Sequence, residues 1–168
     1  MLFRAAAAVF FALTAACGPL THAQQCRHEL IIQKFSSQAV LSRYCIPPDR
    51  NFSLSFIHSV SLTKVRDDYR IEAGHILQVA ETIQTHEAGL PSLEHEPDAL
   101  AWEWQDGQFM LRMQRRIDRL VVRVQDPYQN RLILGEKTID LNQWGDLALE
   151  ISIENSHPQH ESNPHQRE

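Results

Sequence analysis

The stretch "LAWEWQDGQFMLRM", residues 100–113, places two alternating apolar runs on either side of the dipeptide Asp106-Gly107. Asp-Gly suits the two central positions of a type I′ hairpin turn, because both positions need positive φ. A turn there sets Trp104 opposite Phe109, Trp102 opposite Leu111 and Leu100 opposite Met113. Six large apolar side chains then share one face, which is the pattern of a sheet with one buried side. An aromatic platform for a ligand is the competing use of these Trp residues, but paired aromatics on a strand face read first as core.

The same period-two alternation recurs outward along the chain at 28–34, 38–45, 52–60, 65–72, 76–84, 119–125, 131–134, 137–141 and 147–153. Turn residues separate the runs, and no helix-length amphipathic pattern interrupts them. The expectation is an all-β, single-domain antiparallel β-sandwich of the immunoglobulin-like kind over 24–154. A sandwich is preferred to a closed barrel because Pro47-Pro48, Pro91, Pro97 and Asp126-Pro127 read as connections that switch between sheets.

Composition fits one globular domain: 168 residues, 43% hydrophobic and 22% charged. Residues 1–23 read as an export signal, with Arg4, an apolar run from Ala5 to Ala16, and small residues Thr21 and Ala23 before the cleavage point. That run is too short to span a bilayer. Acylation is the competing reading, since "LTAAC" ending at Cys17 resembles a loose lipoprotein box with Thr14 in place of the usual Leu. Either way the expected location is periplasmic, with lipid anchoring through Cys17 as the alternative.

The net charge is −5, and loss of Arg4 with the leader makes the chain more acidic still, so nucleic acid and anionic membrane surfaces are poor partners. No transmembrane helix is expected in the mature chain. Both readings of the leader leave Cys26 and Cys45 as the cysteines of the domain, an even pair that reads as a disulfide in an exported protein. A hairpin with Leu30 opposite Leu41 would bring them face to face. The tail from residue 155 to 168 has no apolar residue to bury and reads as disordered; His157, His160 and His165 offer imidazoles for a metal, although solvated polypeptide is the commoner case.

In "FSLSFIHSV", residues 52–60, the apolar face Phe52, Leu54, Phe56 continues into His58. If a four-residue loop follows Val60, Phe56 faces Tyr69 and His58 faces Asp67. A three-residue loop from Ala73 to His75 then makes Tyr69 face Val79 and Asp67 face Glu81. The reading is a row of three ionisable groups, His58, Asp67 and Glu81, across adjacent strands. Such a row forms a self-neutralising network, holds a divalent metal through one nitrogen and two oxygens, or binds a cationic or hydrogen-bonding group of a ligand. Catalysis is the weakest use, because Ser59 is adjacent to His58 in a strand and points to the other face. No cofactor is implied.

The segments "FSLSFIHSVSLTKVRDDYRI", "LQVAETIQTHEAGLP", "DGQFML" and "RLVVRV", in this order, resemble the bacterial family known as domain of unknown function 1850, over Phe52 to Ile153. The resemblance carries His58, Ser59, Val65, Tyr69, Glu81, Ala88, Gly89, Leu90 and Pro91 as matching positions. Lys64, Asp67 and Glu87 depart from the pattern, where Pro, Glu and Gly are usual. Asp67 keeps the charge with a shorter reach, and Glu87 lacks the freedom of glycine at positive φ. What the resemblance implies is an accessory protein of a TAXI-type TRAP solute transporter.

The segment "EAGLPSLEHEPDAL" also reads, on its own residues, as a long connection in which Gly89 and two prolines shape a turn or carry binding. The expected function is therefore that of an exported, non-enzymatic binding module with a transporter component or a small ligand as partner. Its candidate patch is His58, Ser59, Asp67, Tyr69, Glu81, Gly89, Leu90 and Pro91. The alternative is a small periplasmic enzyme or metal-binding protein that uses the His58, Asp67 and Glu81 row.

Overall fold

A computed structural model of the protein describes residues 26–84 and 98–155. The leader, the connection with Gly89, Leu90 and Pro91, and the His-bearing tail beyond Asn155 lie outside the described residues. Every expected run is a strand: β1 (His28–Lys34), β2 (Val40–Cys45), β3 (Asn51–Ile57), β4 (Lys64–Glu72), β5 (His75–Ile83), β6 (Ala99–Gln105), β7 (Gln108–Ile117), β8 (Leu120–Val124), β9 (Arg131–Leu134), β10 (Lys137–Asp140) and β11 (Leu147–Asn155). Short 3-10 turns at Asp126–Tyr128 and Leu141–Trp144 complete the order.

Two antiparallel sheets pack as a sandwich. The smaller runs β2-β1-β11-β8 and the larger β10-β9-β3-β4-β5-β7-β6. The chain changes sheet through Pro47-Pro48 after β2 and through Asp126-Pro127 after β8, as the prolines predict. The connection with Pro91 and Pro97 does not change sheet. It joins β5 to β6 within the larger sheet, stepping over the place that β7 fills between them.

Alternation builds the core. Leu30 and Ile32 of β1, Leu149 and Ile151 of β11, Phe52 and Leu54 of β3, and Tyr69 and Ile71 of β4 join one buried cluster between the sheets. Each such aliphatic or aromatic side chain contributes about 1.5–3 kcal/mol by leaving water. A second buried group, Val65, Ile83, Leu111 and Met113, lies outside that cluster on the β4-β5-β7 part of the larger sheet. Cys26 and Cys45 form the disulfide, with Cα atoms 5.3 Å apart.

Three registers differ from expectation, and a fourth differs at the start of β6, each because a turn or bulge differs. In the first hairpin Leu30 faces Tyr44, not Leu41. The turn is longer than assumed: the Gln38 N–H donates to the Lys34 carbonyl, the Lys34 N–H donates to the Ala39 carbonyl, and a bulge follows Ile32. Between β3 and β4 the register is shifted by four residues, so that Phe52 faces Tyr69, Leu54 faces Asp67 and Phe56 faces Val65. The even shift keeps every side chain on its expected face. Between β4 and β5 the turn has two residues, Ala73 and Gly74, both at positive φ (49° and 80°), instead of three. Tyr69 therefore faces Gln78 instead of Val79, and a bulge between Asp68 and Tyr69 restores the pairing of Asp67 with Glu81.

The Asp106-Gly107 turn forms as read, with Trp104 opposite Phe109 and Trp102 opposite Leu111. The six-residue core face does not follow. A bulge at the start of β6 pairs Ala99 with Met113 and leaves Leu100 66% exposed, while Trp104 is 62% exposed. Among the described residues β6 is an edge strand, so its side chains have sheet neighbours on one side only. Trp104 instead packs against the Phe109 ring at 4.3 Å between centroids.

Candidate functional site

The strand β4, "KVRDDYRIE", alternates exposed and buried positions, with Val65, Tyr69 and Ile71 buried and Lys64, Arg66, Arg70 and Glu72 exposed. Asp67 occupies the buried side of that alternation. A carboxylate there needs donors, because an unpaired buried charge is costly. Two donors are supplied: the Tyr69 hydroxyl donates to Asp67 Oδ2 at 3.3 Å, and Gln78 Nε2 donates to Oδ1 at 3.1 Å. Across the ladder Asp67 pairs directly with Glu81, and Glu81 pairs in turn with Leu111 of β7. The row therefore reads Leu54, Asp67, Glu81, Leu111, two carboxylates set between apolar side chains.

The electrostatics follow from that setting. The Asp67 carboxyl is pushed up from 3.8 to about 7, first by burial, then by the charge of Glu81 and, more weakly, of Asp68. The hydrogen bonds from Tyr69 and Gln78 oppose the rise. The Tyr69 hydroxyl is pushed well above its ordinary value by its own burial, by the Asp67 charge and by its hydrogen bond to Asp67; Glu81 adds to this and Arg115 opposes it. Arg115 faces Gln78 in the register, which sets a guanidinium-bearing residue beside the pair. The Tyr69 ring is held by stacking on Phe52, with centroids 5.0 Å apart and planes 15° apart.

Near neutral pH Asp67 is thus poised between a carboxylic acid, which donates a hydrogen bond, and a carboxylate, which attracts a cation. Asp68, on the opposite face, is committed elsewhere. It accepts from Ser53 Oγ at 2.6 Å and from Arg66 Nε at 2.8 Å.

His58 does not join the row. With the register shifted by four, it lies beyond the end of β3 and its N–H donates to the Thr63 carbonyl at 2.8 Å. Its Nδ1 accepts from the Ser61 N–H at 3.2 Å, and the Ser61 hydroxyl lies 3.2 Å from the same atom. The imidazole closes the β3–β4 turn, whose tip carries exposed Val60 and Leu62. Ser59 is exposed in that turn. Among the described residues no group of three or more His, Cys, Asp or Glu side chains is placed to hold a metal ion.

The patch as assembled is Asp67, Tyr69, Glu81, Gln78 and Arg115. Sequence reasoning misses Gln78 because regular pairing puts Val79 opposite Tyr69; the shortened turn and the bulge substitute the amide. A buried polar residue in a strand of otherwise apolar inward positions is the available signal. No helix among the described residues is long and apolar enough to cross a membrane.

The family model described as "Domain of unknown function (DUF1850)" matches residues 52–141. The match begins at Phe52, takes in β3 to β10 with the carboxylate pair, and ends before β11. The disulfide and the strands β1 and β2 lie outside it. No curated protein and no solved structure matches the chain.

Proposed function

We propose, from the premise that the chain belongs to the DUF1850 family, that it is an exported, non-enzymatic binding module serving a TAXI-type TRAP solute transporter in the periplasm. The observation that carries the binding reading is the Asp67–Glu81 pair, two carboxylates that face each other on the buried side of the sheet, where burial and the Glu81 charge push the Asp67 carboxyl up to about 7. Two facing carboxylates on the buried side of a strand repel one another, and a recognition site is a physical reason to keep them together. The group they favour is a cation or a paired N–H donor, from a transporter subunit or from a small ligand.

The transporter as partner rests on the family resemblance, and the export on the leader with its Ala23 cleavage point or its Cys17 acylation site. Binding of a cationic group would release the Asp67 proton, so affinity should rise with pH through about 7. Co-isolation of the chain with the transporter subunits, from cells making both at natural levels, tests the reading. Recovery at pH 8 that weakens at pH 6 and is lost in Glu81→Gln is expected. Recovery unchanged by pH and by Glu81→Gln would refute the role of the pair, and no recovery at all would refute the partner.

A further inference from the structure

At the end of the sandwich opposite to His58, the edges of the two sheets frame an open cleft of about 790 Å³. Its walls come from the start of β1, from the β2–β3 switch and from the turn between β9 and β10. The fold pins each of these. The Cys26–Cys45 disulfide ties the first to the second. Arg50, at φ 58°, donates its N–H to the Pro47 carbonyl and accepts from the Ile71 N–H, both at 2.9 Å. Gly135, at φ 59°, packs against Pro47 so closely that a Cβ there would stand 3.4 Å from Pro47 Cγ.

The charge lining this cleft runs against that of the chain. Among the described residues Arg27, Arg50 and Lys137 border it with Glu136 as the single carboxylate, on a protein whose net charge is −5. Most other arginines of the described residues are in ion pairs, among them Arg43, Arg66, Arg112, Arg119 and Arg131. Arg27, Arg50 and Lys137 make no ion pair with any described residue; Lys137 Nζ lies 4.6 Å from the centre of the Tyr44 ring. The apolar part of the wall is formed by Ile46, Pro47, Pro48 and Leu134.

We infer that this cleft binds a small organic carboxylate with an apolar body. Unpaired guanidinium groups match a carboxylate with parallel N–H donors, and Lys137 adds a further charge. The volume is that of a small-molecule site, and apolar walls with a few placed polar groups are its usual make-up. Cys26, Arg27, Cys45 and Arg50 precede Phe52, so much of this site is built from residues outside the family match, separate from the Asp67–Glu81 pair.

The test is an NMR titration of the purified chain with benzoate, with benzamide as its neutral counterpart and inorganic phosphate as an anion without an apolar body. Benzoate is expected to shift the amide signals of Ile46, Arg50, Gly135 and Lys137, with a Kd below about 1 mM. Arg50→Gln and Lys137→Gln should each weaken it about tenfold, as loss of a charge-assisted contact does. Lys137→Gln leaves the Arg50 turn intact, so the two variants together separate loss of charge from loss of local structure. Equal binding of benzamide, phosphate binding as tight as benzoate, unchanged affinity in both variants, or no shift with any probe would each overturn the inference.

Discussion

Replacing Asp67 with asparagine should flatten the dependence of stability on pH. The folded state holds the Asp67 proton to about 7 against an ordinary value of 3.8, so between these values the folded protein binds more protons than the unfolded chain. Stability from this group is therefore fully present below pH 3.8 and is lost as pH rises through 7. At about 1.4 kcal/mol per pH unit the whole loss is about 4 kcal/mol, most of it between pH 5 and pH 8. The asparagine of an Asp67→Asn variant cannot ionise and lacks this slope. Its amide would turn a donor towards the Tyr69 hydroxyl or the Gln78 amide, a cost of about 1–3 kcal/mol that does not vary with pH. Urea unfolding of both proteins at pH 5, 6, 7 and 8 reads the difference directly, because the other titrating groups are common to both. The gap in unfolding free energy should shift by about 3 kcal/mol in favour of the variant across that range. Parallel curves, or a gap that moves in favour of the parent, would refute the account of the pair.

The causes of the Asp67 shift can be separated by following its carboxyl carbon by NMR: Glu81→Gln should move the midpoint below about 7, and Tyr69→Phe, which removes a donor to Oδ2, should move it above. A midpoint unmoved in Glu81→Gln would mean that burial alone sets it. Loss of the Cys26–Cys45 bridge in a Cys26→Ser, Cys45→Ser double variant, measured by chemical denaturation, should cost about 3 kcal/mol for a loop of this length. Glu150, which accepts from Arg119 at 2.8 Å and 3.3 Å and from Gln33 and Gln38, is held down at about 2. Its contribution is present above its ordinary value of 4.5 and lost as pH falls towards 2, so Glu150→Gln should narrow the stability difference between pH 5 and pH 3 seen in an acid titration by circular dichroism.

Strand positions and sheet class are legible in the sequence because alternation is local: a run such as Lys64 to Glu72 states its buried face residue by residue. Register is less legible, because it depends on turns and bulges whose lengths alternation does not fix. The Asp106-Gly107 turn can be read because both residues need positive φ and the dipeptide advertises it. Ala73-Gly74 is also a two-residue turn, but alanine at positive φ carries no such signal. The Asp67–Glu81 pair survives that difference, since the bulge after Asp68 compensates for the shorter turn. His58 does not, since nothing in "HSVSLTK" states that its imidazole would accept from Ser61 and close the loop. Alternation alone places Trp104 and Leu100 in the core, because a sequence does not show which strand becomes an edge.

The central claim, that the Asp67–Glu81 pair works for the transporter and not for the fold, is met most directly by solute uptake in cells lacking the chain. These cells would be complemented with the parent, with Glu81→Gln or with His58→Gln. The account predicts that Glu81→Gln accumulates to the parental level with uptake no better than in uncomplemented cells, while His58→Gln, confined to the β3–β4 turn, restores uptake wherever it folds. Full uptake with Glu81→Gln would contradict it and make the pair a structural feature of the sheet.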